Sequence, residues 1–389
     1  MKKLPEGWRE VRLEEICEVN MGQSPKSETY NENNIGLPLI QGNADIKNRK
    51  TLPRVYTSEP TKQCDIGDII MTVRAPVGAI AKSYHNACIG RGVCALKPKE
   101  NNDFLYHFLV NYEDKWDKLS QGSTFTAVNG NDIKNIKILY PPLEEQKKIA
   151  EILSTVDQKI DFVDKQIEET ETLKKGLMQK LLTQGIGHSE FKDSEIGRIP
   201  KSWEVSKLEN HVKIISGQSP SKFIFDGGRY KFFKVNQLNF CEKYLSESEY
   251  SYNTSNYENL KVGTIIFPKR GAAIFTNKVR ILKTEGFIDT NLMGLITKKT
   301  LNSEFLYYLL VMFELSNIAD TSSIPQINNK HINPLKFPFP PIEEQKQIAE
   351  ILSTVDQKIE NLKAKKEAFE ELKKGLMQKL LTGEVRVKV

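Results

Sequence analysis

The chain has 389 residues, of which 39% are hydrophobic and 27% charged, with a net charge of +6 at neutral pH. That length exceeds the usual single-domain range, so at least two hydrophobic cores are expected. There is no run of about 18 uninterrupted apolar residues and the opening MKKLPEGWREV has no apolar signal core, so neither a membrane span nor export is predicted and the expected location is cytoplasmic.

Residues 1–142 read as a first globular domain. It opens on LPEGWREV and reaches GQSP at Gly22–Pro25, where glycine and proline both favour a turn. Short β-rich runs such as DIIMTV (Asp68–Val73) follow, and then one helix, DFLYHFLVNYEDKWDKL, with turn residues punctuating the rest. Asp65 and Asp68 read as solvated turn acids. Basic and amide residues gather in IQGNADIKNRK, TVRAPVG and IGRGV.

Residues 143–184 read as a long helix preceded by Pro141 and Pro142, with Glu144 and Glu145 in the first turn, where the helix dipole favours acids. Ile149, Leu153, Val156, Ile160, Val163 and Ile167 recur at alternating steps of four and three, the spacing of a coiled-coil seam. The pattern is expected to resume at Leu173, Leu177 and Leu181. About 40 helical residues span about 60 Å. Gly176 falls inside the pattern, where glycine is less favourable than alanine by about 1 kcal/mol, and marks a kink or a close neighbour.

Residues 185–200 are polar, carry glycines and end in proline, and are predicted to be a linker. From there the text repeats. A second domain, 201–341, carries Trp203, GQSP at Gly217–Pro220, TIIFP and FLYYLL in the same order as the first. A second helix, 342–383, follows with the seam Ile348, Leu352, Val355, Ile359 and Leu362, then Phe369, Leu372, Leu376 and Leu380; residues 384–389 form a tail. Between the segments beginning at Pro141 and Pro340, 31 of 43 aligned residues are identical, so the chain is a tandem duplication with divergent domains and nearly invariant helices.

Charge separates these parts. The block 196–339 holds 19 basic against 12 acidic residues, whereas 141–195 holds 8 against 12. Basic domains with near-neutral or acidic helices point to polyanion binding by the domains and protein partners for the helices. Within the domains Gln41, Asn43, Arg74, Arg91, Lys234, Asn236, Gln237, Lys269, Arg270 and Lys278 are the candidates for DNA contact. Arginine suits guanine, asparagine and glutamine suit adenine, and lysine supplies phosphate charge. The equivalent loops of the two domains carry different text, IQGNADI against KVNQLNF. GQSP itself is read as the turn into the reading surface, with phosphate contact through Ser24 and Ser219 as the functional alternative.

Catalytic signatures are absent from the text. It has no phosphate-binding GxxxxGK[ST] loop and no GxSxG elbow, and HINPLKF has one proline too few for the adenine methyltransferase motif. Five scattered cysteines and five scattered histidines predict reduced structural thiols and no metal.

The duplicated PP-[LI]-EEQK-x-IAEILSTVDQKI…LKKGLMQKLLT helix, the FKDSEIGRIPKSWEV segment and the two GQSP domains resemble the specificity subunit of type I restriction-modification systems. The resemblance covers essentially the whole chain. It implies an α+β architecture in which two target recognition domains of mixed α/β type are joined by two long antiparallel coiled-coil helices with pseudo-two-fold symmetry. It further implies a double-stranded DNA target in two parts, two modification (methyltransferase) subunits and restriction subunits as partners, and no catalysis by this chain. S-adenosylmethionine, ATP and Mg would then reside on the partners, with no cofactor here. A coiled-coil scaffold with two protein-binding ends and no DNA affinity is the alternative.

Overall fold

The computed structural model describes residues 4–120, 127–320 and 324–389. The chain divides into two compact units, Met1–Lys165 with Lys363–Val389 (unit 1) and Gln166–Leu362 (unit 2).

In unit 1, Arg9–Arg12 pairs antiparallel with Lys137–Tyr140, so the first and last strands of the globular domain close on each other. Between them lies a six-stranded sheet in the order Cys17–Met21, Val93–Pro98, Ile69–Thr72, Ile80–Lys82, Lys50–Thr51, Ile46–Lys47. Ile69–Thr72 is buried at all four positions, which is why IIMT reads as an unbroken apolar run and not an alternating one. A second, five-stranded sheet contains Leu37–Ile40 and Ala87–Ile89 as a parallel pair. Helix α1 (Asn102–Ser120) covers the six-stranded sheet through Phe104, Leu105 and Leu109. Helix α2 (Leu143–Gln184) then begins.

Unit 2 repeats this plan. Glu204–Lys207 pairs with Lys336–Phe339, and a five-stranded sheet runs Val212–Ser216, Leu292–Thr297, Ile265–Pro268, Arg280–Leu282, Tyr244–Leu245. The parallel pair recurs as Tyr230–Phe233 with Gly286–Ile288. Helix α3 (Ser303–Phe313) stands where α1 does, and helix α4 (Ile342–Leu380) follows the domain as α2 follows the first. Within the segment predicted to be a linker, Phe191–Ser194 and Gly197–Pro200 pair as a hairpin, a capacity masked in the text by its polar composition.

Each unit contains the first half of one long helix and the second half of the other, running antiparallel. In unit 1, Ile149, Ala150 and Leu153 of α2 share a core with Met377, Leu380 and Leu381 of α4. In unit 2, Met178, Leu181 and Leu182 meet Ile348, Ala349 and Leu352. Of the predicted seam, Ile149, Leu153, Val156, Val163, Ile348, Leu352 and Ile359 are buried, while Ile160, Ile167, Val355 and Leu362 are half-buried.

The expected resumption at Leu173 and Leu372 is corrected: they are 52% and 49% exposed. Steps of four and three from Ile167 arrive instead at Thr170, Lys174, Leu177 and Leu181, and from Leu362 at Lys366, Phe369, Lys373, Leu376 and Leu380. The seam therefore never breaks; it passes through polar residues. Thr170 is buried, with its hydroxyl donating to the Gln166 carbonyl at 2.6 Å. Lys174 pairs with Asp356 at 2.5 Å, Lys373 with Asp157 at 2.6 Å and Lys366 with Asp164 at 2.7 Å. Charged seam residues that must meet opposite charges fix register and direction, the best-attested use of ion pairs inside a coiled coil.

Glu145 is also more than a first-turn acid. It is 1% exposed, accepts the Trp8 indole N–H at 3.0 Å and takes a bidentate pair from Arg386 at 2.6 and 2.8 Å. Its counterpart Glu344 accepts the Trp203 indole at 3.0 Å and His188 Nε2 at 2.7 Å. Each domain is thus tied to its helix through an equivalent tryptophan–glutamate bond, with Arg386 of the tail and His188 filling the same role.

Candidate nucleic-acid interface

In unit 1 four loops interlock through backbone hydrogen bonds at one end of the sheets. Gly22 N–H donates to the Val93 carbonyl at 3.0 Å and Gln23 N–H to Ile89 at 2.9 Å, setting GQSP against the turn Gly90–Arg91–Gly92. Gly90 N–H reaches the Ile40 carbonyl at 2.8 Å, bringing in the loop that starts at Gln41. Val73 N–H donates to Gly92 at 2.9 Å and Val128 N–H to Val73 at 2.9 Å, adding the Arg74 loop and the segment facing it.

Glycine is required where these loops meet. A Cβ at Gly22 would lie 2.2 Å from the Gly90 carbonyl oxygen, and one at Gly217 would lie 1.7 Å from that of Asp289. The first residue of both GQSP turns is therefore set by close backbone approach. Ser24 Oγ accepts from the Arg91 N–H at 3.2 Å, and the Ser219 hydroxyl lies 2.8 Å from that of Ser221, so both serines already serve their own loops.

Unit 2 builds the same cluster bond for bond. Gln218 N–H donates to Ile288 at 3.0 Å, Asp289 N–H to Phe233 at 2.9 Å, Lys269 N–H to Asn291 at 2.8 Å and Ile327 N–H to Lys269 at 2.9 Å. These bonds align Gln41 with Lys234, Arg91 with Thr290, and Arg74 with Arg270. The last pair keeps its residue type. Arg74 bridges to Ala127 and Arg270 to Gln326 at equivalent places; both are exposed, and neither guanidinium makes an ion pair or hydrogen bond among the described residues.

The other candidates divide by burial. Gln41, Asn43, Arg91 and Asn236 are exposed on the same loop clusters. The Gln41 backbone N–H donates to Asp45 at 2.8 Å, and Asp45, only 3% exposed, also accepts from Arg54 at 3.0 Å, so a buried carboxylate holds that loop in shape. In unit 2 the corresponding clamp is Gln237, which corrects the expectation that it contacts DNA. Its side chain is fully buried and its Oε1 accepts from the Lys234 N–H at 2.6 Å, so it shapes the turn Val235–Asn239 from inside and is not on the exposed face of the loop.

Lys234 is half-buried, with its ammonium 3.4 Å from the centre of the Tyr250 ring. Lys278 donates to Asn239 Oδ1 at 2.5 Å, tying two loops together. Lys269 is half-buried; burial pulls its pKa down, and nearby Asp289 opposes the shift. Asp289 is itself buried, which pushes its carboxyl up. Asp45, Gln237 and Asp289, whose Oδ1 accepts the Asn291 N–H at 2.9 Å, were not legible as loop clamps, because nothing in their residue type separates a buried clamp from an exposed contact.

Among the described residues no group of three or more His, Cys, Asp or Glu is placed to hold a metal, and no helix is long and apolar enough to cross a membrane. All five cysteines are free, and burial pushes the Cys17 and Cys94 thiols up to about 12. Asp65 and Asp68 both face Lys97, at 2.5 and 3.5 Å.

The family model for the type I restriction modification DNA specificity domain matches twice, over residues 5–172 and 200–371. The chain belongs to this family. It is 36% identical to the MjaVIII type I restriction enzyme specificity subunit of Methanocaldococcus jannaschii over 73% of this chain and 70% of the relative. It is 26% identical to the MjaIX subunit of the same organism over 99% and 95%, and 25% identical to the EcoKI specificity subunit of Escherichia coli K12 over 91% and 82%. In fold it resembles the type I restriction-modification S subunit of M. genitalium, with a TM-score of 0.62 at 16% identity over 97% of this chain and 98% of that one. A chain from a type I restriction-modification assembly gives the same TM-score at 20% identity over 99% and 100%. The two matched segments each hold one GQSP cluster, so the family's domain is present twice.

Proposed function

We propose that this specificity subunit reads an asymmetric DNA target in two parts, one through the loop cluster of each unit, and scaffolds the subunits that modify and cut. The observation that carries this reading is the pairing of an identical backbone framework with different exposed residues. Gln41 and Arg91 in unit 1 stand where Lys234 and Thr290 stand in unit 2, while Arg74 and Arg270 are shared. A fixed frame presenting different donors is how one fold reads two sequences. The shared arginines then supply a contact common to both half-sites.

In this proposal the recognition domains are 1–142 and 201–341, with the helices as spacer. In this reading the chain is non-catalytic and binds no cofactor. Two modification subunits carry the methyltransferase chemistry with S-adenosylmethionine, and restriction subunits carry ATP and Mg, all in the cytoplasm.

Methylation profiling of DNA from cells carrying this chain and its partners tests it directly. A bipartite motif with unlike halves is expected, and replacing residues 1–142 by another recognition domain should change one half only. A palindromic motif, or both halves changing together, would count against the reading. Arg74→Ala and Arg270→Ala should each weaken binding of the assembled complex to its target roughly tenfold.

A further inference from the structure

The reading loops are clamped at their starts through Asp45 and Gln237, and the segment that follows each loop is anchored as well. In unit 1 the chain leaves the loop through the hairpin of Ile46–Lys47 and Lys50–Thr51, and in unit 2 through Tyr244–Leu245. The sheet ladders align the two exits. Lys50 pairs with Lys82 and Tyr244 with Ile281, and the carbonyls one residue earlier, of Arg49 and Lys243, accept the N–H groups of Lys82 and Ile281 at 2.9 and 2.8 Å. Arg49 and Lys243 therefore hold the same position of the repeat. Around it the text differs, NRKT against EKYL, but the basic charge is kept.

Both charges are directed at helices. Lys243 is 4% exposed; its Nζ lies 2.6 Å from Glu304 of α3 and 3.5 Å from Asp356 of α4, and donates to the Tyr308 hydroxyl at 2.7 Å and the Ser353 hydroxyl at 2.8 Å. Arg49 donates bidentately to Glu113 of α1 at 2.7 and 2.9 Å and to the Ile80 carbonyl at 3.3 Å, while its neighbour Lys50 reaches Asp161 of α2 at 2.7 Å.

Neither residue is the easy choice for its place. Lysine is almost never fully buried unless it is paired. Arg49 stands in a tight turn in which it and Asn48 both have positive φ, 58° and 49°, a geometry that favours Asn-Gly. An arginine there carries backbone strain that glycine would avoid. Two domains with different reading loops thus keep an inward-facing base just past the loop, against burial in one and strain in the other. The exposed residues Gln41, Asn43 and Asn236 stand upstream of these anchors.

We infer that Arg49 and Lys243 are positioning residues for sequence reading: each fixes the far end of its loop on the helices, and so sets where Gln41 and Asn43, or Asn236, meet the bases, without touching DNA itself. The inference rests on the reading of the loop clusters as the DNA-reading surface, and it adds what holds them in register. In unit 2 Arg280 also donates to the Leu238 carbonyl at 2.8 and 3.1 Å, so loss of Lys243 frees one end of the loop and leaves its middle held.

The test is DNA binding by the complex reconstituted with its modification subunits, on duplexes carrying the motif found by methylation profiling and on duplexes with one half replaced. Arg49→Gly, which removes the guanidinium and relieves the turn, should lower discrimination at the half read by unit 1 about tenfold and leave the other half unchanged. Lys243→Met should do the same at the half read by unit 2. Arg49→Lys and Lys243→Arg, which keep the charge, should recover part of the loss. The slope of log affinity against log salt should stay that of the wild type, because no phosphate contact is removed. Unchanged discrimination in folded variants or a loss spread over both halves would overturn the inference. A slope reduced by about one would also overturn it, since the residue would then be touching DNA. Should Lys243→Met fail to fold, Arg49→Gly and Arg49→Lys decide it. A wild-type complex that does not discriminate among the duplexes would refute the reading of the loop clusters instead, a separable outcome.

Discussion

His107 and Tyr308 occupy the same place on α1 and α3 and meet the same helix residues with different chemistry. Tyr308 donates to Asp356 at 2.5 Å, while His107 Nε2 lies 3.1 Å from the Ser154 hydroxyl and its Nδ1 has no hydrogen bond. Burial, with Lys373, Lys82 and Arg49 nearby, drives the histidine down to about 3, so it is neutral in the folded chain. The unfolded chain takes up a proton near pH 6.5, so this site favours unfolding increasingly as pH falls from about 6.5 towards 3. By pH 5 the loss is about 2 kcal/mol. His107→Gln stays neutral throughout, so the drop in its unfolding free energy from urea titration between pH 7 and pH 5 should be smaller than that of the wild type by that amount. Equal drops would show that the imidazole is not held neutral. His211 shifts in the same direction through its own burial and Lys298, which is why the comparison is made against wild type at each pH. The neighbours Asn236 and Gln237 teach a related lesson. Both have the residue type expected of a base contact, but the turn Val235–Asn239 points one out and folds the other in, and only three-dimensional context separates them.

At the scale of elements, the long helices were legible in full as helices and only in part as a seam. Ile149, Leu153, Val156 and Val163 announce themselves as apolar residues at the right spacing, and all are buried. Beyond Ile167 the apolar signal and the spacing disagree, and the spacing is the better guide. Leu173 and Leu372 are apolar but off register, and they are exposed. Lys174 and Lys373 are charged but on register, and they face Asp356 and Asp157. Stability should follow the structure. Leu182→Ala, at a fully buried site, should cost about 2–5 kcal/mol, whereas Leu173→Ala should stay within about 0.5 kcal/mol. Denaturant unfolding of the two variants side by side checks this, and comparable losses would restore Leu173 to the seam. The exposed Gly176, whose added Cβ would meet nothing within 4 Å, has no neighbour to explain it among the described residues.

For the whole molecule, duplication was the most legible feature, because 31 identities in 43 positions are unmistakable. The partition into units was not, since it does not follow chain order. The boundary falls inside α2 after Lys165 and inside α4 after Leu362, and both helices continue unbroken through it. If these helices set the distance between the half-sites, lengthening both at those points should lengthen the DNA spacer. One heptad inserted after Lys165 and another after Leu362 preserves the alternation of four and three, so seam residues on either side keep their faces. It adds about 10.5 Å to each helix. With a rise of about 3.4 Å per base pair, the recognised spacer should grow by up to about three base pairs while both half-sites stay the same. A two-residue insertion at the same points turns the seam by about 200° and should abolish methylation by the assembled complex. Methylation profiling reads motif and spacing together. An unchanged spacer in an active heptad variant would mean that the helices do not act as the ruler.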